Sequence, residues 1–373
     1  MREIPLSSPD ITDLERKAIL EVLDTRNLSL GPKLPEFEEM LAHFVGTRYA
    51  VAVNSGTSGL HLCIKALGIA DGDEIITTPF SFVASANCIL YERAVPVFAD
   101  IDPFTLTLDV GQIEAKVTKK TKAILPVHVF GQPCNMDSVL KIAGKYGLQV
   151  IEDSCEAIGA TYRGRKAGTF GDCGVFAFYP NKQMTTGEGG AIVTDREEIA
   201  LLCRSLRNQG RGNGQEWLAH ERLGYNYRLS DIHCALGIAQ LQRINELLSK
   251  RQYVAEIYNS LLKNLAGIRI PFAPSDVTIS WFVYVIVLEK MFTRNQRDKI
   301  LINLKKRGIC CNNYFPPIHL QPFYASTFGY KRGDFPVTES ISDRTIALPF
   351  HGNLSKEDIE YVVAGLKEEM EKG

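Results

Sequence analysis

Short apolar runs rich in β-branched residues recur between residues 34 and 245, at 50–53, 74–77, 95–99, 123–126, 149–152, 174–178 and 190–194. Between them the apolar positions take helical spacing, as at Leu60, Ile64 and Leu67. Alternation of this kind predicts a mostly parallel sheet with helices on both faces, because parallel strands need crossovers and crossovers are usually helical. Asp231 opens a longer helical stretch in which Ile232, Leu236, Leu241, Ile244 and Leu248 cover more than one face. Such a helix is expected to lie buried between two bodies. After about Ala266 the strand and helix signals separate: strands at 268–270 and 281–288, a helix at 296–307, and a last helix from 356 to about 372 begun by Ser355. The fold expected is α/β, with a large domain at 1–245 and a smaller C-terminal α+β domain at 246–373.

Three places on this frame carry chemistry. Lys182 lies in a glycine-terminated loop, Phe178-Tyr-Pro-Asn-Lys182-Gln-Met-Thr-Thr-Gly-Glu-Gly-Gly190, between the last two runs. An amine confined there can form an imine reproducibly with a carbonyl compound, although most loop lysines are solvated surface charges. Asn54-Ser-Gly56-Thr57-Ser-Gly59 joins a strand to a helix. The unpaired N–H groups and positive dipole at such a helix start make a phosphate seat; a plain N-cap by Asn54 or Ser55 is the ordinary alternative. Asp153 ends a strand at the edge where open α/β sheets place their ligands, or else caps the next helix. A phosphate seat, a carboxylate and a lysine together are what pyridoxal 5′-phosphate requires.

Further motifs lie in order along the chain: Leu28-Ser29-Leu-Gly-Pro32, Thr78-Pro-Phe-Ser-Phe82-Val-Ala-Ser-Ala-Asn87, Val127-His-Val-Phe-Gly131, Leu206-Arg-Asn-Gln-Gly-Arg211, Gly224-Tyr-Asn226-Tyr-Arg228-Leu-Ser-Asp231 and Pro317-Ile-His319-Leu-Gln-Pro322. With these the chain resembles the DegT/DnrJ/EryC1/StrS sugar aminotransferases over nearly its whole length. The resemblance implies a fold-type I pyridoxal phosphate-dependent transferase with a mostly parallel seven-stranded sheet. It implies that Lys182 binds the cofactor aldehyde, that Asp153 partners the pyridinium nitrogen and that Gly56 and Thr57 grip the phosphate. Phe82 would stack on the ring. Glu156 would sit near the cofactor, and Asn226 would reach the phosphate of a neighbouring subunit, making a homodimer with shared active sites. Ser29, Arg211, Arg228, Tyr314 and His319 are the candidate substrate contacts. The reaction implied moves an amino group from L-glutamate to a keto-deoxysugar nucleotide, for surface polysaccharide or other deoxyaminosugar synthesis.

One position departs from the family pattern. Where many relatives have a serine five residues before the lysine, this chain has Ala177, which removes one hydroxyl contact to the phosphate. Two other readings use the same fold: a sugar dehydratase, which carries histidine at the lysine position, and a non-catalytic regulatory protein. Lys182 speaks against the first, and the intact lysine, aspartate and phosphate seat against the second.

Composition adds little to this picture. The 42 basic and 43 acidic side chains nearly cancel, so no net field favours nucleic acid or an anionic membrane. Nine cysteines without a C-x-x-C pair read as reduced thiols, with no disulfide framework or metal site, and Cys155 reads as a small hydrophobe. The first residues lack an apolar signal core, and the run at 281–288 is too short to span a bilayer. A cytoplasmic protein is expected.

Overall fold

In the computed structural model, which describes residues 2–212 and 219–372, five strands come first. They are β1 (Tyr49–Val53), β2 (Glu74–Thr77), β3 (Val95–Phe98), β4 (Thr121–Ile124) and β5 (Gln149–Asp153). A hairpin of β6 (Thr161–Tyr162) and β7 (Arg165–Lys166) precedes β8 (Cys173–Ala177) and β9 (Gly190–Thr194). Seven of these strands form one sheet in the order β1-β9-β8-β5-β4-β2-β3. Within it only β9 runs against its neighbours. The strands fall where the apolar runs predict, shifted by two residues at 123–126 and by one at 174–178.

Helices α1 (Asp13–Leu23), α2 (Lys33–Val45), α3 (Gly56–Ala66), α4 (Ala84–Leu90), α5 (Met136–Tyr146), α6 (Glu197–Arg207) and α7 (Asp231–Gln242) connect and cover the strands. One core lies under α3 and α6, with Leu60, Ile64, Cys203 and Leu206 packed on Val51, Val175 and Ile192. The other lies under α2 and α7, where Phe37, Leu41 and Ile238 meet Ala52, Phe176 and Val193. Two apolar faces explain why the strands are apolar along their length instead of alternating.

The helical stretch from Asp231 does not run unbroken. It is interrupted at Arg243 (φ −105°, ψ 8°), after which α8 (Ile244–Leu262) continues. Neither proline nor glycine marks the break. Arg243 instead bonds the distant Asp10 and Glu15 at 3.0 and 2.8 Å, besides its helix neighbour Glu246 at 2.9 Å.

The remaining elements are β10 (Ile268–Arg269), β11 (Val277–Thr278), β12 (Tyr284–Leu288), α9 (Arg294–Lys306), α10 (Pro322–Phe328), α11 (Pro336–Ser342), β13 (Thr345–Leu348) and α12 (Lys356–Glu371). An antiparallel sheet β10-β12-β13 packs against α8, α9 and α12 through Tyr258, Tyr284, Leu304, Ile359 and Leu366. Ser355 caps α12 by accepting from the Asp358 N–H. The strand expected at 281–288 begins only at Tyr284, because the carbonyls of Trp281 and Phe282 are taken by the Arg251 guanidinium instead of a neighbouring strand. We propose the domain division at 245/246, in the first turn of α8. Residues 4–6 nonetheless lie along the C-terminal sheet, with Ile4 bridged to Ile309 and the Phe350 N–H bonded to the Leu6 carbonyl. No described helix is long and apolar enough to cross a membrane.

Candidate active site

The carboxyl ends of β1, β5 and β8 and the start of the reversed strand β9 share one edge of the large sheet, the edge at which α/β folds hold ligands. At the end of β1 the N–H of Asn54 is fixed by the Tyr227 carbonyl, and Ser55 caps α3 by accepting from the Ser58 N–H at 3.0 Å. The cap leaves the N–H groups of Gly56 and Thr57 without a partner among the described residues. Capping by Ser55 therefore still leaves two N–H groups on this turn available to an anion. The seat needs glycine: a Cβ on Gly56 would lie 2.8 Å from both Ala177 Cβ and Cys155 Sγ, and one on Gly190 would lie 2.6 Å from the Gly56 nitrogen.

β5 ends in two carboxylates with different duties. Glu152 is completely buried and accepts from His128 Nε2 and from the N–H groups of Gly168, Phe170 and Gly171, so it ties loops together. Asp153 faces the cavity. Its Oδ1 accepts from the Cys155 N–H at 3.1 Å and its Oδ2 from the Ser85 hydroxyl at 2.6 Å, while Ser81 Oγ lies 2.8 Å from Ser85 Oγ. No described basic side chain pairs with Asp153, which leaves it free to partner a cation.

Lys182 sits on the connection between β8 and β9. Its Nζ lies 3.4 Å from Glu156 Oε1 and 3.8 Å from the centre of the Phe282 ring. The loop is held from several sides: Lys182 N–H donates to the Tyr179 carbonyl, Gln183 Nε2 donates to the carbonyls of Glu156 and Ser280, and Arg251 donates to the Lys182 carbonyl at 2.7 Å. Burial pushes the Glu156 carboxyl up, opposed by the Lys182 charge and by the Phe130 N–H bonded to Oε2. Burial also pushes the Cys155 thiol well up, as does the Asp153 charge, so it is no nucleophile at neutral pH.

A cavity of about 1360 Å³ brings Gly56, Thr57, Phe82, Asp153, Glu156, Lys182 and Tyr314 together. Phe82 lines the cavity and is 61% exposed, and Tyr314 packs against Phe315 and Phe282. These residues suit pyridoxal phosphate: unpaired N–H groups for its phosphate, an aromatic face and a carboxylate for its ring, and an amine for its aldehyde. Asn87, Asn313, Phe323 and Tyr324 line space beyond.

Five expected residues do not join this cavity. His319 is completely buried, its Nε2 bonds Glu339 Oε1 at 3.0 Å, and its ring packs edge-on against Phe335, away from the cavity lining. Ser29 bridges Ser230 on the exposed 28–30 segment. Arg228 donates to Asn208 Oδ1, and Asn226 is exposed beside Asn54, outside this chain's own cavity. Arg211 has a buried Nε with no partner among the described residues, next to the undescribed 213–218. Sequence reasoning missed Ser85, Gln183, Arg251 and Phe282. Only Ser85 carried a signal, since Ser81 and Ser85 are spaced i, i+4 at the entry to α4.

The model of the DegT/DnrJ/EryC1/StrS aminotransferase family matches residues 9–367. The chain is 40% identical over 368 residues to GDP-perosamine synthase of Caulobacter vibrioides, covering 97% of each. Among solved structures, Helicobacter pylori PseC, an aminotransferase involved in the biosynthesis of pseudoaminic acid, superposes with a TM-score of 0.95 at 32% identity, covering all of both chains. The putative sugar aminotransferase Spr1654 of Streptococcus pneumoniae, in its PLP form, does so at 0.95 and 28%, covering 100% of this chain and 99% of that one. The chain therefore belongs to the DegT/DnrJ/EryC1/StrS aminotransferase family, fold-type I enzymes whose cofactor is pyridoxal 5′-phosphate.

Proposed function

We propose that the protein is a nucleotide-sugar aminotransferase, a cytoplasmic homodimer with shared sites that moves an amino group from L-glutamate to a keto-deoxysugar nucleotide. The observation that carries this reading is the convergence of Lys182 Nζ, Asp153 and the unpaired N–H groups of α3 on one cavity. GDP-linked ketosugars are the first acceptors to try, given the likeness to GDP-perosamine synthases.

When bound, pyridoxal phosphate supplies a ring that takes up the negative charge developing at the donor Cα. Gly56, Thr57 and the positive end of α3 would hold its phosphate. Asp153 would face the ring nitrogen, and Phe82 would cover one ring face. Lys182 Nζ would hold the aldehyde and, as the free amine, would take the proton from the donor Cα and return it on the same face. Glu156 Oε1 orients that amine. Tyr314 borders the substrate space, and Asn226, Arg228, Arg211 and Ser29 complete the site from the edge or from the second subunit. The donor leaves as a keto acid before the ketosugar enters, which gives ping-pong kinetics.

The test is the absorption spectrum of the protein with pyridoxal phosphate, before and after L-glutamate, in wild type and Lys182→Ala. A visible band present only in wild type and lost on adding glutamate supports the reading. A band indifferent to glutamate points to another donor or to a lyase, and no band overturns the role of Lys182.

A further inference from the structure

Arg251 on α8 is 4% exposed and has no carboxylate within salt-bridge distance among the described residues. Its guanidinium donates to three carbonyls: Lys182 at 2.7 Å, Phe282 at 3.2 Å and Trp281 at 3.4 Å. Two of these carbonyls belong to the lysine of the site and to the phenylalanine whose ring lies 3.8 Å from Nζ. Gln183 makes a parallel connection, donating to the carbonyl and hydroxyl of Ser280 at 2.9 and 3.1 Å. The lysine loop of the large sheet is thus stitched to residues 280–282, just ahead of β12, by two adjacent side-chain links. A planar fork is the group that can serve carbonyls on two separate segments at fixed angles; an ammonium on a flexible stem cannot.

We propose that Arg251 is a positioning residue for Lys182, fixing the lysine backbone against the 281–282 segment so that Nζ stays between Glu156 and the Phe282 ring. The inference rests on the proposed role of Lys182. Arg251 lines none of the cavity. It acts on the direction of the amine, not on phosphate or ring binding.

The experiment compares wild type, Arg251→Lys and Arg251→Met as holoenzymes. It reads bound cofactor per chain, the pH midpoint of the visible band, and the rate at which L-glutamate discharges that band. Arg251→Met is expected to keep the cofactor, move the pH midpoint by about one unit, and slow the discharge about 10- to 100-fold with little change in half-saturating glutamate. Arg251→Lys, which keeps a cation but not the fork, is expected to lie between, and it carries the test alone if Arg251→Met fails to fold. A wild-type midpoint and rate in Arg251→Lys and Arg251→Met overturns the proposal. So does a loss of rate that only follows loss of cofactor or of melting temperature. A wild type without any visible band sinks the functional reading itself, which is a distinguishable failure.

Discussion

The Ser85 hydroxyl donates to Asp153 Oδ2 at 2.6 Å and turns a buried carboxylate into one with both oxygens held, since the Cys155 N–H already occupies Oδ1. Asp153 is 5% exposed and has no ion-pair partner among the described residues, so these two donors are what satisfy and aim its oxygens. Removing the hydroxyl by Ser85→Ala costs about 1.5 kcal/mol of that support, or about tenfold in cofactor affinity. Ser85→Thr restores the donor and is expected to recover most of it. A cofactor titration by visible absorbance decides; equal affinity in Ser85→Ala and wild type would refute the role.

Gly56→Ala places a methyl group where Ala177 Cβ and Cys155 Sγ already stand 2.8 Å away. Neither neighbour is the far end of a flexible side chain, so the strain is expected to lower apoprotein stability by about 1–3 kcal/mol. The methyl also spoils the approach to the α3 N–H groups. Cofactor affinity should fall further than stability alone explains, which apoprotein melting and cofactor titration measure separately.

Ala177→Ser acts in the opposite direction. Its Cβ borders the seat, and a hydroxyl there adds a donor for a charged phosphate. A bond of that kind is worth about 1.5–3 kcal/mol, so retention through dialysis should improve roughly 10- to 100-fold. Unchanged retention would mean that the backbone N–H groups already satisfy the phosphate.

Glu15 on α1 is fully buried. Burial pushes its carboxyl up, but the Thr12 hydroxyl and N–H, Gln240 and Arg243 hold it down to about 2. A depressed carboxylate adds stability that is present above its ordinary value of 4.5 and is lost as pH falls from there toward 2. Glu15→Gln should cost about 2–3 kcal/mol at neutral pH, with the gap to wild type closing across that acid range. Urea melts at several pH values between 7 and about 3 check it.

The parts of this site that the sequence disclosed are those encoded next to a strand end. Lys182, Asp153, Gly56 and Thr57 each follow an apolar run within a few residues, so a local pattern locates them on the ligand edge. The parts it hid depend on contacts between distant segments. Ser85 meets Asp153 across 68 positions and Arg251 meets Lys182 across 69, separations over which a local pattern such as the Ser81–Ser85 spacing names no partner. His319 shows the same dependence: Glu339, 20 positions on, and Phe335 close around its ring. The helix break at Arg243 likewise follows from Asp10 and Glu15, over 200 positions away.

Ile4 and Leu6 pair with segments around Ile309 and Phe350, so the ribosome makes them about 300 residues before anything they bond to exists. The large sheet can collapse while the chain is still emerging, whereas the C-terminal sheet must wait for a strip of backbone held in reserve. Truncating those first residues should therefore harm the last part of the molecule to fold, not the first.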